Sequence, residues 1–310
     1  MKIAAGASAW VEVPATSANL GPGFDSLGLA LGLTDEVQVE ARGDAVVVEV
    51  EGEGADELPR DESHLVVRSL RAALDAAGCA QPAGLRLRCR NRLPHGRGLG
   101  SSASAAVAGV LAARGLLRNE DTVDRVGALD DATALRVATA LEGHPDNAAA
   151  ALLGGLTIAW SEGGDAVAVR VDPHPELAPV VLVPPNRLST RTARAALPAM
   201  VPHADAAFNA ARSALLVEAL SRRPDLLLAA TEDRLHQRQR GPAMPTTLAL
   251  VDGLRSHGLA AVVSGAGPSV LVLSTATELA DVTRTAAGCA PHGWRVLTPG
   301  IARRGAQQLP

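Results

Sequence analysis

The sequence predicts an α+β protein of two domains, and three observations support this fold class. The 310 residues suffice for two moderate domains, and 47% of them are hydrophobic, which allows a sizeable core. Strand and helix patterns alternate in the second half without forming a regular parallel βαβ series. A turn at 161–165, followed by a polar, proline-rich segment, marks a boundary. We therefore expect domains at residues 1–165 and 166–310.

The elements of the first half follow from the spacing of apolar residues. Strands show apolar and polar residues in alternation, whereas helices repeat their apolar residues every three or four positions. In order, these patterns predict a strand at 9–13 that leads into a loop at 14–24, hairpin strands at 37–41 and 46–50, a helix at 64–77 that stops at Gly78, a strand at 85–89 and an alanine-rich helix at 103–114.

The second half shows the same two kinds of pattern in a less regular order. After the polar segment comes an apolar stretch at 180–183. The spacing then predicts helices at 207–220, 224–232 and 246–256 and strands at 261–264 and 270–274.

Composition argues against several functional classes. A net charge of −4 and the absence of tyrosine disfavour a nucleic-acid-binding protein, which is usually basic and rich in stacking residues. Cys79, Cys89 and Cys289 are odd in number and widely separated, so we expect reduced thiols in a cytoplasmic protein. No apolar run reaches the roughly 18 residues of a membrane span, so no membrane partner is expected.

The most informative stretch is the segment at residues 94–104, named here the phosphate loop. Its glycines tolerate positive φ and let the backbone approach a ligand closely. Its serines open the alanine-rich helix, whose first N–H groups have no partner within the helix and favour an anion. We therefore expect these residues to hold a nucleotide phosphate: Pro94, His95, Gly96, Arg97, Gly98, Leu99, Gly100, Ser101, Ser102, Ala103 and Ser104.

Two common phosphate motifs do not fit this loop. The dinucleotide fingerprint needs a third glycine where Ser101 stands, and it needs an acidic residue further on that is missing. The Walker loop needs Gly-Lys followed by Ser or Thr, and this chain has Gly-Ser-Ser at 100–102 instead. A turn without a ligand is the remaining alternative, although Gly-Leu-Gly-Ser-Ser before a helix is unusual for a mere turn.

Three glycine-containing segments together resemble the GHMP kinases. The phosphate loop is similar to the second motif of that family, and residues 263–269 (Val-Ser-Gly-Ala-Gly-Pro-Ser), named here the glycine loop, are similar to the third. Residues 14–25 (Pro-Ala-Thr-Ser-Ala-Asn-Leu-Gly-Pro-Gly-Phe-Asp) resemble the first motif in its homoserine kinase form. Shorter matches to the same subfamily lie at 142–147, 189–194 and 233–237, and the resemblance spans residues 9–275.

This resemblance implies a fold and an activity. The implied fold is the GHMP kinase fold, with an N-terminal domain like ribosomal protein S5 domain 2 and a ferredoxin-like C-terminal domain. The implied activity is ATP-dependent phosphorylation of the L-homoserine hydroxyl in threonine biosynthesis, by a homodimer that uses Mg²⁺. Gly265 and Gly267 would close over the ATP phosphates. A kinase for shikimate or an isoprenoid precursor, or a catalytically silent ligand-binding member, are the alternatives.

Homoserine carries an ammonium, a carboxylate and a hydroxyl, and the resemblance assigns residues to each. Asn19 and Asp25 would bind substrate, although Asn and Asp also cap turns. Arg194 and Arg240 would bind the carboxylate, because a guanidinium grips a carboxylate with two parallel donors. The family usually reads His-Gln-Pro-Tyr-Arg where this chain reads His-Gln-Arg-Gln-Arg at 236–240, so Arg238 could replace Arg240.

The same resemblance suggests how the transfer works. Asp146 and Asn147 would hold the substrate amine and hydroxyl, and because an amide cannot accept a proton as a base, we expect direct phosphoryl transfer. Thr190 would lie near the metal and the acceptor. Ser102 and Glu142 are the predicted Mg²⁺ ligands, since this ion prefers oxygen donors.

Overall fold

The computed structural model describes residues 3–118 and 129–310. The strands of these ranges are β1 (Ser8–Ala18), β2 (Leu27–Ala41), β3 (Val46–Gly52), β4 (Leu85–Asn91), β5 (Leu156–Glu162), β6 (Asp165–Val171), β7 (Val180–Val183), β8 (Ala260–Val263), β9 (Val270–Leu273), β10 (Arg295–Leu297) and β11 (Gln307–Leu309). The α-helices are α1 (Leu65–Ala76), α2 (Ser101–Leu116), α3 (Asp131–Glu142), α4 (Pro145–Leu153), α5 (Thr190–Ala195), α6 (His203–Ser221), α7 (Leu227–Ala230), α8 (Pro245–Ser256) and α9 (Leu279–Cys289).

Within these ranges the strands form two sheets. Seven strands make the first sheet, in the order β11-β1-β2-β4-β3, with β5 pairing with β2 and β6 pairing with β5. The second sheet has four strands in the order β10-β7-β9-β8. The first sheet therefore includes β6, which begins at the predicted boundary, and β11 at the far end of the chain. The boundary at residue 165 stays a prediction.

The predicted hairpin between residues 37–41 and 46–50 is wrong. Both segments are strands, but β4 lies between them and pairs antiparallel with β2 and parallel with β3. Leu87 of β4 is aligned with Val39 on one side and Val48 on the other, and all three are buried. Alternation shows that a strand is half-buried but does not show which strand is its neighbour.

Helix α2 is buried on most sides, which explains its alanine content. It packs against α1 and lies on β1. Gly109 permits this close packing, because a Cβ there would lie 2.4 Å from the backbone oxygen of Val66 in α1. The helix carrying the predicted phosphate site is therefore held rigidly between a second helix and the sheet.

The buried core joins the two sheets. One apolar cluster combines Leu29 of β2 and Leu99 of the phosphate loop with Val181 of β7, Leu216 of α6 and Leu271 of β9. This cluster therefore supports the region where several chain segments meet. These segments are the loops that follow β1 and β8 and the N-terminal ends of α2, α4 and α5. In the described ranges, none of the helices combines the length and apolar character needed to cross a membrane.

The secondary-structure predictions were least accurate in two places. Strand β1 continues to Ala18, so it includes the first half of the predicted loop at 14–24. The predicted helix at 224–232 is a 3₁₀ turn (Pro224–Leu226) followed by the single-turn helix α7. Helices α3, α4, α5 and α9 and strands β5, β6, β10 and β11 had no predicted counterpart.

Candidate functional site

The three glycine-containing segments meet through their backbones. The Thr16 N–H donates to the Leu99 oxygen at 3.1 Å, and the Gly265 N–H donates to the Ala18 oxygen at 2.9 Å. The Ser264 Oγ lies 2.7 Å from the Gly98 oxygen and donates to it. The end of β1, the phosphate loop and the glycine loop are thus joined pairwise by hydrogen bonds.

Two glycines are required for this approach. Gly98 has φ of +72°, and a Cβ there would lie 2.2 Å from the backbone oxygen of Ser264. Gly100 has φ of +68°, and a Cβ there would lie 1.8 Å from Thr16 Oγ1. Any other residue at either position would combine an unfavourable left-handed backbone with a steric clash.

Helix α2 presents a free N-terminus to this junction. It begins at Ser101 directly after the left-handed Gly100, and this cap residue has no side chain that could accept from the first-turn N–H groups. First-turn N–H groups have no partner within the helix, and the helix dipole adds positive charge there. The geometry is that of a phosphate site.

A central cavity of about 110 Å³ opens beside this N-terminus. It is lined by most of the predicted site residues: Asn19, Gly96, Gly98, Gly100, Ser101, Ser102, Ala103, Glu142, Asp146, Asn147, Thr190, Arg194, Arg240, Gly265 and Gly267. Residues separated by more than 240 positions in the chain therefore converge. His144, Leu188 and Ala266 also line the cavity and were not predicted.

An apolar cavity of about 390 Å³ adjoins the central cavity through the phosphate loop. Gly96, Ser101 and Ser102 line both cavities. Its walls are largely apolar and include Val37, Leu58, Pro59, Leu65, Val66, Ala105 and Ala108. The volume and the largely apolar lining of this cavity suit a heterocycle attached to the phosphates.

Not every residue of the phosphate loop lines the central cavity or the apolar cavity. His95 and Ser104 line the apolar cavity, whereas Pro94, Arg97 and Leu99 line neither cavity. The Arg97 guanidinium donates instead to backbone carbonyls just after β7. The Leu99 side chain is 2% exposed and belongs to the core.

Asp146 and Asn147 form the start of α4 and face the central cavity. Asp146 is 1% exposed, and its Oδ1 accepts from the Asn147 backbone N–H at 2.8 Å, while its Oδ2 has no partner. Burial raises the pKa of Asp146, an effect that the nearby His144 opposes and the Asp25 carboxylate reinforces. An unpartnered buried carboxylate oxygen is suited to receive a cationic donor.

Asn19 and Asp25 both have φ of 53°, in the left-handed region. The Asp25 N–H donates to Asn19 Oδ1 at 2.9 Å, which closes the turn between them. The Asp25 carboxylate accepts two hydrogen bonds from Arg194, at 2.5 and 3.1 Å. Asn19 and Arg194 line the cavity, whereas Asp25 does not line it and supports both of these residues from behind. Both predicted residues therefore contribute to one turn, with different roles.

Arg238 and Arg240, the two alternative carboxylate-binding residues predicted from the sequence, lie in different environments. Arg240 lines the central cavity and is fully buried, with Nε and Nη2 unpartnered. Arg238 lies outside the cavity lining, is 67% exposed and pairs with Asp252 at 2.8 Å. Of these two arginines, Arg240 is the one that offers unpartnered donors to a ligand in the central cavity.

A buried histidine supports Arg240. His236 Nε2 lies 2.6 Å from the Gly21 oxygen, and its Nδ1 lies 3.1 Å from Arg240 Nη1. Burial lowers the pKa of His236, so the neutral ring donates through Nε2 and accepts through Nδ1. The ring also stacks on Phe24, over which the Arg240 guanidinium lies. Arg240 is thus fixed by neighbours that leave its Nε–Nη2 edge free.

Ser102 and Glu142 bring two oxygen atoms together at the cavity. Ser102 Oγ donates to Glu142 Oε1 at 2.6 Å, and burial raises the pKa of Glu142. Within residues 3–118 and 129–310, no three His, Cys, Asp or Glu side chains cluster as a metal site. A carboxylate and a hydroxyl beside a phosphate site nevertheless fit Mg²⁺, which takes phosphate and water as further ligands.

Sequence reasoning missed His144, Thr16 and His236 for different reasons. His144 lies within the 142–147 match, and its position before the proline that starts α4 could have identified it. Thr16 lies in a strand and looks like an ordinary β-branched core residue. The role of His236 depends on its contact with Arg240, one helical turn away, and that contact requires the observed local conformation.

Comparisons with known proteins place this fold and site in one family. The model of the GHMP kinases N-terminal domain matches residues 64–155, and that of the GHMP kinases C-terminal domain matches 211–288. A homoserine kinase of Streptomyces avermitilis is 54% identical over 97% of this chain and 95% of its own length. One of Streptomyces coelicolor is 55% identical over 97% and 94%.

A solved structure agrees with this assignment. The crystal structure of homoserine kinase from Cytophaga hutchinsonii has a TM-score of 0.83 and 27% sequence identity, with 98% of each chain covered. The expected two-domain GHMP kinase fold is confirmed. The chain therefore belongs to the homoserine kinase family of the GHMP kinases.

Proposed function

We propose that the protein transfers the γ-phosphoryl group of ATP to the hydroxyl of L-homoserine, giving O-phospho-L-homoserine for threonine biosynthesis. One observation carries this assignment. The central cavity places the unpartnered Asp146 Oδ2 and the unpartnered edge of Arg240 beside the free N-terminus of α2. An acid, a guanidinium and a phosphate site are what an amino-acid acceptor and a nucleotide donor require.

The nucleotide would bind across the two cavities. Its phosphates would lie at the phosphate loop, under Gly265 and Gly267, and its base would occupy the apolar cavity. Because Ser101 and Ser102 line both cavities, the terminal phosphate would point toward the central cavity. The reacting groups would then meet at the beginning of α2.

Homoserine would bind through its charges. Its ammonium would contact Asp146 Oδ2 and Asn19, and its carboxylate would contact Arg240 and Arg194. The ion pair with Asp25 holds Arg194 in place before substrate arrives. This arrangement would leave the substrate hydroxyl directed toward Asn147 and Thr190.

The transfer would proceed directly, without a strong base at Asn147. Phosphoryl transfer depends mainly on alignment and charge stabilisation, and an amide cannot remove a proton. The α2 N-terminus would stabilise negative charge on the phosphoryl oxygens. Ser102 and Glu142 would hold Mg²⁺, which neutralises phosphate charge when bound.

An acceptor panel tests the function. Purified protein with Mg-ATP is assayed for ADP release with homoserine, shikimate, mevalonate or galactose. We expect release only with homoserine. Release with another acceptor alone would contradict the assignment, and ATP binding without release for any acceptor would indicate a silent ligand-binding protein.

Paired variants test the absence of a base. We expect Asn147→Ala to reduce turnover, and Asp146→Asn to weaken homoserine binding because an amide binds an ammonium less strongly than a carboxylate does. If Asp146→Asn instead abolished turnover at unchanged homoserine affinity, while Asn147→Ala was nearly silent, Asp146 would be the base.

We also propose a cytoplasmic homodimer. The three cysteines are free thiols, two of them buried, which suits a reducing compartment. The dimer is an expectation from the family resemblance alone. Light scattering coupled to size-exclusion chromatography measures the molar mass in solution. A mass near twice that of one chain would support the dimer, and the mass of one chain would contradict it.

A further inference from the structure

We propose that Thr16 is a positioning residue that orients the Asn147 amide and links the phosphate loop to the acceptor side. The inference rests on the proposed function. Thr16 is fully buried near the end of β1, and its Oγ1 lies 2.8 Å from Asn147 Oδ1. Its backbone N–H donates to Leu99, directly before Gly100. One residue thus contacts both sides of the site.

The hydroxyl determines which end of the amide faces the reacting groups. An asparagine amide has nearly the same shape in its two flipped orientations, so hydrogen-bond partners select one. Thr16 donates to Oδ1, and Asn147 Nδ2 donates to Asp146 Oδ1 at 3.2 Å. These two bonds leave the second Nδ2 hydrogen available for an anionic or hydroxyl oxygen.

Removing the hydroxyl would leave Asn147 Oδ1 without this donor. The side chain would then be held only through Nδ2 and could rotate away from the acceptor. A half-buried acceptor that loses its donor is destabilised, which favours rearrangement toward other partners. The expected defect is therefore in the alignment of the hydroxyl and the phosphate, not in the binding of either substrate.

The tight packing around the Thr16 hydroxyl supports a specific role for its hydrogen bond to Asn147. A Cβ at Gly100 would lie 1.8 Å from Thr16 Oγ1 and 3.1 Å from Asn147 Oδ1. The last residue before α2 therefore encloses the Thr16–Asn147 hydrogen bond at the point where the phosphates would bind. Glycine at position 100 leaves the space that the hydroxyl occupies.

A double-mutant cycle tests this role. The proteins are wild type, Thr16→Val, Asn147→Ala and the double variant, with Thr16→Ser as the matched control that keeps the hydroxyl. We expect Thr16→Val to lower kcat about 10- to 100-fold, with KM for ATP changed less than about 3-fold, and Thr16→Ser to stay within about 3-fold of wild type. In the Asn147→Ala background, Thr16→Val should cost less than about 2-fold.

The outcomes separate positioning from a purely structural role. An equal loss from Thr16→Val in both backgrounds, a silent Asn147→Ala, or equal damage from Thr16→Ser and Thr16→Val would each overturn the inference. A second readout is independent of the acceptor: the side-chain ¹⁵N–¹H resonances of Asn147 should shift in Thr16→Val and not in Thr16→Ser. Unchanged resonances in both would overturn it.

A failure of the proposed function can be distinguished from a failure of the inference about Thr16. If folded wild-type protein releases no ADP with homoserine, the function is wrong. The resonance comparison still decides the role of Thr16 in that case.

Discussion

Replacing Arg240 with lysine gives the sharpest test of how the substrate carboxylate is bound. The free Nε and Nη2 of Arg240 lie side by side on the guanidinium, while Nη1 is bonded to His236. This edge can donate two parallel hydrogen bonds to a carboxylate, and a lysine ammonium cannot reproduce them. Loss of one charge-assisted bond costs about 1.5–3 kcal/mol. We therefore expect kcat/KM for homoserine to fall about 10- to 150-fold, mainly through KM.

The assay is ADP release at varied homoserine, with Arg238→Lys as the matched control. Arg238 pairs with Asp252 on the surface, so its replacement should change kcat/KM less than about 2-fold. The KM for ATP should stay unchanged in both variants. With 3-aminopropan-1-ol, which lacks the carboxylate, Arg240→Lys should cause no further loss. An unaffected Arg240→Lys, or an equal loss in Arg238→Lys, would refute the reasoning.

Three further predictions concern stability, metal dependence and the loop junction. Burial raises the pKa of Asp35 from 3.8 to about 6, so in this range the folded protein holds a proton there that the unfolded chain has released. The contribution of Asp35 to the unfolding free energy should therefore fall by about 2 kcal/mol between pH 4 and pH 6, and Asp35→Asn should remove that contribution in urea titrations across the range. Glu142→Gln should raise the Mg²⁺ concentration for half-maximal rate at least about 10-fold, measured at fixed ATP, and an unchanged requirement would exclude Glu142 as a ligand. Gly98→Ala should abolish ATP binding in calorimetry, because its Cβ would clash with the Ser264 carbonyl, and normal binding would show that the junction can open.

The sequence predicted the chemistry of the site better than its architecture. The glycine-containing segments and the matches at 142–147 and 189–194 singled out Asn19, Asp146 and Arg194, and all three line one cavity. Each motif needs only local residues to be recognised. Pairing between distant strands leaves no such local trace. For that reason β4 between β2 and β3 could not be foreseen.

Choosing between Arg238 and Arg240 also required the structure. Both residues follow the same histidine in a stretch that departs from the family pattern. Spacing alone therefore does not show which of them would bind the substrate carboxylate. Burial distinguishes the two, because Arg240 lies in the core and Arg238 faces solvent. Whether a side chain is buried here depends on the loop conformation.

The pairing of β11 with β1 has a consequence for the order in which the protein can fold during synthesis. The register Trp10↔Leu309 joins the first strand to the last residues of the chain. At roughly 5–20 residues per second, a ribosome releases those residues only after strands β1–β10 have emerged. Until then the outer edge of β1 has no strand partner, and exposed edges attract other chains. A C-terminal truncation of four residues should therefore increase aggregation of newly made protein more than it lowers the activity of the folded fraction.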